Sequence, residues 1–561
     1  MNPQSENREP RPDTPTAPAV GHMALLGAGP GDAELLTLRA AALLARADVV
    51  FTVREPGPEL AKHRAGMLRH CRPGITVVDP AECGGDADAL ALAYARDGHR
   101  VVRMYSGDPL LGCRGAELAD ACRSAGVEYE VVPGLSSISA VPAYAGVPLL
   151  PPGVGELRVV NAKDPEPDWD RLAEGDATLV VMFPDLAEDG DPRRGGPGFD
   201  RICKSLIAGG RPDDTPVAVT RMGSTTEQTT VVSTLSRLAA DLKAADAKGY
   251  NVTTPALLVV GEGVREQPRR SWFETRPLFG WRVLVPRTKE QAASLSEQLR
   301  GYGAVPEEVP TISVEPPRTP QQMERAVRGL VTGRYQWVAF TSVNAVKAIR
   351  ERFEEYGLDA RAFAGVKVAA VGEQTAAALR EFGIQPDLTP PEDRQSGAGL
   401  VEVWPPYDAE IDPIERVLLP RADIATETLA AGVADLGWEV DDVTAYRTVR
   451  AAPPPAPIRE AIKGGGFDAV LFTSSSTVRN LVGIAGKPHS TTVIAVIGPE
   501  TAKTAEEFGL RVDVVAPRTS VSALAAALSE YGAAQRAAAV EAGKPVLRPS
   551  QKRRGRRRKT V

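Results

Sequence analysis

Four turns in the second half of the chain place hydroxyl or glycine residues where an apolar run gives way to helical spacing, a chemistry suited to holding anions. Phe-Thr-Ser closes the apolar run in YQWVAFTSVNAVKAIRERF (335–353) and again in FDAVLFTSSSTVRNLVGIA (467–485). Each is followed by a second matched segment, VKVAAVGEQTAAALREFGIQPDLTP (366–390) and TVIAVIGPETAKTAEEFGLRVDVVAP (492–517). At a strand-to-helix turn the first helical N–H groups are unpaired and the helix dipole presents its positive end, so an anion is the favoured guest. A Ser or Thr there also serves as a plain helix cap. Four such turns in a matched arrangement favour a polyanion cleft built from two similar α/β lobes.

The elements that position these turns belong to a chain of 561 residues, 43% hydrophobic and 25% charged, enough for about three or four folding units. Residues 1–22 read as a disordered leader without the apolar core of a secretory signal. From Met23 a buried strand, MALLGAGPGD, leads into the helix LLTLRAAALLARA and the strand DVVFTV. A second strand-turn-helix block, HRVVRMYSGDPLLGCRGAELADACRSAG, follows, and SSISAVPAYAG opens a further helix at a serine cap. The α/β pattern of 23–264 ends in REQPRRSWFETRPLFG (265–280), whose prolines, arginines and lack of alternation predict a linker or a docking strap. A fresh α/β unit covers 281–532, and 533–561 reads as an Ala-rich, basic, disordered tail with seven of its last ten residues basic.

Several function classes fall away on bulk grounds. The formal charge of -6 gives no reason to expect general nucleic-acid binding. No apolar run is long enough to span a membrane. The five cysteines lack CxxC spacing and suit reduced thiols in a cytoplasmic protein, and the five scattered histidines assemble no metal cluster.

Taken in order, FTSVNAV, VGEQTAAAL, LLPRADIATETLAAGVADLGWEVDDVTAYRTV, FTSSSTVRNL and IGPETAKTA resemble uroporphyrinogen-III synthase. The resemblance implies a two-lobed domain in which one lobe is made from both ends of the chain segment. It also implies a carboxylate-rich substrate, hydroxymethylbilane, that is cyclised with inversion of one pyrrole ring and without a cofactor. By motif, Thr341, Ser342, Thr375, Ser474, Ser475 and Thr501 would bind substrate, with Arg287, Arg421 and Arg479 as counter-charges. Tyr446 matches the family tyrosine that assists departure of the hydroxyl, a role open to a phenol that stays protonated at neutral pH.

The first half, through LLGAGPGDAELLTLRAAALL, RMYSGDPLL, VVPGLSSISAVPAYAGVPL, RPDDTPVAVTRMGSTTEQTTV and PALLVVGEGV, resembles the S-adenosylmethionine-dependent uroporphyrinogen-III C-methyltransferases. The whole chain resembles the actinobacterial fusions of that enzyme to the synthase. The implied fold is α/β, a two-subdomain tetrapyrrole-methylase-like half followed by the two-lobed synthase-like half. The implied cofactor residues are Pro30, Ser106, Gly107, Asp108, Leu111, Ser136, Ser137, Phe183 and Gly223, with Asp108 facing the methionine end or serving as a plain turn residue.

This half departs from the family pattern in four places. Val53 replaces an Asp, VDPA (78–81) replaces a glycine-lysine pair, LPP replaces Thr-His-Arg after Val147-Pro148-Leu149, and Met182-Phe183 replaces Tyr-Met. Two readings of this half stay open, an active methylase acting on uroporphyrinogen III and a non-catalytic scaffold. For the synthase-like half the alternative is a ligand-sensing regulator whose basic tail contacts nucleic acid. A homodimer through the methylase-like half is compatible with either reading.

Overall fold

Alternation of β-branched runs with alanine- and leucine-rich amphipathic segments dictates parallel sheets flanked by helices. In the computed structural model, which describes residues 21–53, 65–83, 86–162, 167–182, 197–247, 256–286 and 289–552, the strands form four five-stranded sheets. The chain divides into two compact units, one of Met1–Gly280, Gly301–Val305 and Gly532–Val546, the other of Trp281–Arg300, Pro306–Tyr531 and Leu547–Val561. Among the described residues no helix is long and apolar enough to cross a membrane.

The first unit opens with strands β1 (His22–Gly27), β2 (Val49–Phe51), β3 (Thr76–Val78), β4 (Arg100–Tyr105) and β5 (Glu128–Val132), in the order β3-β2-β4-β1-β5. All its pairings are parallel, so the strand-to-helix turns gather at one edge. Its second sheet holds β6 (Leu157–Asn161), β7 (Thr178–Met182), β8 (Pro216–Arg221), β9 (Thr229–Thr234) and β10 (Ala256–Val260), ordered β6-β7-β10-β8-β9 and largely antiparallel.

Asp48, just before β2, ties that strand to β4 and to the turn at Arg72, accepting from Arg100 N, Nε and Nη2 and from Arg72 Nη2 at 2.6–3.1 Å. The Arg100 hydrogen bond, with Arg72 beside it, holds this carboxyl down from 3.8 to about 2. A depressed folded-state value stabilises above the unfolded pKa and is lost as pH falls through the folded one. Asp48→Asn should therefore cost about 1 kcal/mol at neutral pH, discounted for solvent screening, and flatten acid unfolding between roughly pH 4 and 2; urea titrations at stepped pH would read this.

In the second unit, β11 (Arg282–Val285), β12 (Val305–Glu308), β18 (Ala469–Phe472), β19 (Val493–Val496) and β20 (Val514–Val515) form a sheet in the order β12-β11-β18-β19-β20. It joins both ends of the unit. The segment between supplies β13 (Ile312–Glu315), β14 (Trp337–Phe340), β15 (Lys367–Ala370), β16 (Arg416–Ala422) and β17 (Glu439–Arg450), ordered β13-β17-β16-β14-β15.

The sequence repeat is a structural repeat. In one lobe β14 enters helix Val343–Glu355 and β15 enters helix Glu373–Glu381; in the other β18 enters Ser475–Ala485 and β19 enters Pro499–Glu507. Val338, Phe340, Leu471 and Phe472 are wholly buried, each such side chain contributing about 1.5–3 kcal/mol.

Two expectations need correction. Residues 265–280 are no free linker: helix Gln267–Arg270 lies here, and Phe273 and Leu278 are buried within the first unit, because apolar anchors interrupt the charged run. Nor does order stop at 532. Helix Val521–Glu541 runs through Gly532, since alanine favours helix whatever face it occupies, and Leu524, Ala525 and Leu528 bury its start. Beyond it, Ser550 N donates to Oδ1 of the buried Asp468 at 2.8 Å. Residues 1–20 and 553–561, most of the expected leader and the basic end of the tail, lie outside the described residues.

Candidate catalytic and cofactor sites

Tyr446 stands on β17 where its pairing with β16 slips: Arg421 faces Thr444, yet Ala422 faces Tyr446. A bulge of this kind re-aims the next side chain. The phenol is 7% exposed, and its hydroxyl lies 2.9 Å from Ser342 Oγ. Ser342 caps helix Val343–Glu355, accepting from Ala345 N at 3.2 Å. Either hydroxyl can donate across this contact; in the arrangement where Ser342 gives its O–H to the phenol oxygen, the phenolic proton faces a ligand. Thr341, half-buried, directly precedes this cap.

The matching turn on the other lobe is built alike. Ser474 caps helix Ser475–Ala485 in a reciprocal box with Thr477, and its Oγ also meets Ser476 Oγ at 2.9 Å. Ser475 donates to Glu500 O at 3.2 Å and accepts from Thr504 Oγ1 at 2.9 Å, tying this helix start to the next one. Thr375 and Thr501 are buried, at 5% and 4% exposure, so they pack inside their helices' first turns rather than line an open surface.

In the first unit the turns after β1, β4 and β5 converge without side chains between them. Gly29 and Gly107 exchange backbone hydrogen bonds at 3.2 and 2.9 Å. A Cβ on Gly134 would lie 2.0 Å from Gly107 O, and one on Gly27 would lie 2.4 Å from Gly134 N. Asp108 bridges these turns, accepting from Leu110 N at 2.9 Å and Gly134 N at 3.2 Å. Ser136 caps the helix that Ser137 begins, Ser137–Ala145, accepting from Ile138 N at 3.2 Å, while Ser106 is exposed, Leu111 partly so, and Pro30 intermediate.

Gly223 approaches from the second sheet, with no room for a Cβ against Val141. Its neighbours Met222 and Ser224 are the only non-glycine residues with positive φ among those described, at 51° and 67°, and strain of this kind concentrates at binding loops. Ser224 Oγ accepts from Asp32 N at 3.1 Å, joining this loop to the GPGD turn.

Two family models match the chain, tetrapyrrole (corrin/porphyrin) methylases over residues 22–239 and uroporphyrinogen-III synthase HemD over 293–526. The porphyrin biosynthesis protein HemD of Ruminiclostridium josui is 29% identical over 91% of this chain and 98% of its own length. A uroporphyrinogen-III C-methyltransferase of Bacillus subtilis is 30% identical over 65% of this chain and 74% of its own. The chain belongs to the family of fused tetrapyrrole methylases and uroporphyrinogen-III synthases. A siroheme synthase of Acinetobacter baylyi is 36% identical over 46% of this chain, which spans about half of that protein's length, 54%.

Within the synthase domain, the expected counter-charge Arg421 is already committed. At 9% exposure it pairs through Nε and Nη2 with both carboxylate oxygens of Asp442, the Nε contact at 2.7 Å, and donates from Nη1 to Thr426 O at 2.6 Å. It therefore holds the Ala422–Thr426 loop onto β17. Arg421→Met should lower stability by about 2 kcal/mol, the worth of a charged hydrogen-bonded pair, while KM moves little; denaturant unfolding beside steady-state kinetics would check both. Asp442 was missed because a carboxylate in EVDDVTAY gives no hint of its partner. Arg479 is exposed on helix Ser475–Ala485, and Arg287 lies outside the described residues.

In the methylase domain, Asp108 spends both oxygens on backbone amides, so it acts as the turn residue rather than as a free carboxylate. Gly27 and Gly134, not singled out from sequence, complete the glycine cradle with Gly107; their place in GAGPGD and VVPGLSS was the available signal. Phe183 lies outside the described residues.

Proposed function

We propose that the synthase domain cyclises hydroxymethylbilane with inversion of ring D, and that Tyr446 assists departure of the hydroxyl. The observation carrying this is the 2.9 Å contact between Tyr446 Oη and Ser342 Oγ, which unites the candidate acid with a helix-capping turn. As the pyrrole nitrogen expels the C–O bond, the phenol gives its proton and water leaves. Ring D then attacks the resulting azafulvene through its substituted carbon, forming a spiro intermediate. A C–C bond breaks to regenerate an azafulvene, which recloses at the other position, and loss of a proton restores the pyrrole and the phenol. No redox or electron-sink group is needed, and holding one substrate conformation supplies most of the selectivity. Helix starts capped by Ser342 and Ser474 are offered as carboxylate subsites. An assay of the full chain with hydroxymethylbilane should yield chiefly the type III isomer; type I alone, the product of unassisted closure, would refute the reading.

For the methylase domain the proposed cofactor is S-adenosylmethionine, held by the glycine cradle, the Ser136–Ser137 helix start and the Met222–Ser224 loop. The bound cofactor supplies an electrophilic methyl group for a ring carbon of uroporphyrinogen III. A second reading, a cofactor-holding scaffold without turnover, is favoured by Val53 and the VDPA and LPP segments, which offer fewer groups able to carry the proton that methylation releases. Calorimetry with S-adenosylhomocysteine followed by an assay for precorrin-2 separates them: binding without product leaves the scaffold, and no binding removes both.

A further inference from the structure

The segment Gln267–Glu274 lies outside both matched family regions, 22–239 and 293–526, yet it grips the elements assigned to the cofactor. Three carbonyls at the C-terminal end of helix Ser137–Ala145 accept from side chains. Trp272 Nε1 donates to Ala143 O at 3.0 Å, Gln228 Nε2 to Tyr144 O at 3.2 Å, and Gln267 Nε2 to Ala145 O at 3.0 Å. The strap backbone also runs so close that a Cβ on Gly146 would lie 2.4 Å from Arg270 O.

From this strap Glu274 reaches the strained loop by a relay. Its Oε1 accepts from Gln228 Nε2 at 2.9 Å and from Thr230 Oγ1 at 2.6 Å, and its Oε2 accepts from Thr230 N at 3.2 Å. Gln228, 2% exposed, turns its own Oε1 to Ser224 N at 2.8 Å. Ser224, held at φ 67°, then receives Asp32 N of the GPGD turn. A carboxylate accepting on both oxygens orients the Gln228 amide one way round: its nitrogen faces Glu274, so its oxygen must face Ser224.

We propose that Glu274 is a positioning residue for the cofactor site, fixing the Met222–Ser224 loop through Gln228. This rests on the cofactor reading above. Glu274 touches no reacting atom; together with Tyr144 O it holds the Gln228 amide nitrogen on one side, keeping Oε1 on Ser224 N, and so stabilises a backbone conformation that non-glycine residues resist.

The test uses the full chain and S-adenosylhomocysteine, titrated calorimetrically well below the melting transition. Glu274→Ala should weaken binding about tenfold, as expected for losing a charged acceptor in a buried network. Glu274→Gln, which keeps one oxygen for Gln228, should recover most of it. Gln228→Met should reproduce the loss, and combining it with Glu274→Ala should add little, because both act on one relay. Formation of the type III isomer should be unchanged in every variant. An affinity in Glu274→Ala within about twofold of the parent, a 0.4 kcal/mol effect or less, would overturn the proposal even if the melting temperature falls. Should Glu274→Ala fail to fold, unchanged affinity in Gln228→Met, which removes the amide that links Glu274 to Ser224 N, would overturn it equally. Absence of binding in the parent chain would instead defeat the cofactor reading and this inference with it.

Discussion

Gly134→Ala is expected to abolish S-adenosylhomocysteine binding by the methylase domain and to lower its stability by about 3 kcal/mol or more. The added Cβ would sit 2.0 Å from Gly107 O and 2.8 Å from Gly27 Cα. Both neighbours are backbone, fixed in turn by the Gly29–Gly107 exchange and by Asp108, so no flexible side chain can yield. Relief requires the turns after β1, β4 and β5 to part, and those turns form the proposed cradle. Calorimetric titration paired with thermal unfolding reads both effects. Retained affinity would mean that the cofactor, if bound, sits elsewhere; type III formation should persist and serves as the internal control.

Tyr446→Phe should slow formation of the type III isomer about a hundredfold, the lower range for loss of a positioned proton donor. KM should shift by less than about twofold, because the substitution removes an interaction made as the C–O bond breaks rather than one made on binding. The ring stays buried against the same neighbours, so the fold should hold. Unassisted closure then competes, and the share of type I product should rise. Ser342→Ala should give a smaller loss of rate plus about 1 kcal/mol of stability from the missing cap. Undiminished type III formation by Tyr446→Phe would remove the phenol from the mechanism.

Much of this arrangement was legible because its causes are local. A Ser at the end of FTS caps the helix that begins one residue later, and the bond from Ala345 N to Ser342 spans three residues. The repeat was legible because the same strand-to-helix unit recurs, and the GAGPGD and GLSS turns because glycine and serine are chosen by backbone geometry close by.

Where the partner is distant, packing decides instead. Ser342 and Tyr446 are 104 residues apart, and only the β16–β17 bulge brings the phenol onto the cap. Arg421 carried a charge that sequence could assign to substrate; the sheet register assigns it to Asp442 instead. The charged run at 265–280 hid Phe273 and Leu278 as anchors, and the alanines after Gly532 hid a helix because alanine shows no polar and apolar faces.

The sequence by itself determined the kinds of element, the doubled lobe, the family and the turn chemistry, since these follow from propensity and spacing along the chain. Tertiary structure alone decided which charges remain free, which glycines meet and which segment holds the Met222–Ser224 loop. Those outcomes depend on groups separated by many residues whose meeting no local rule encodes.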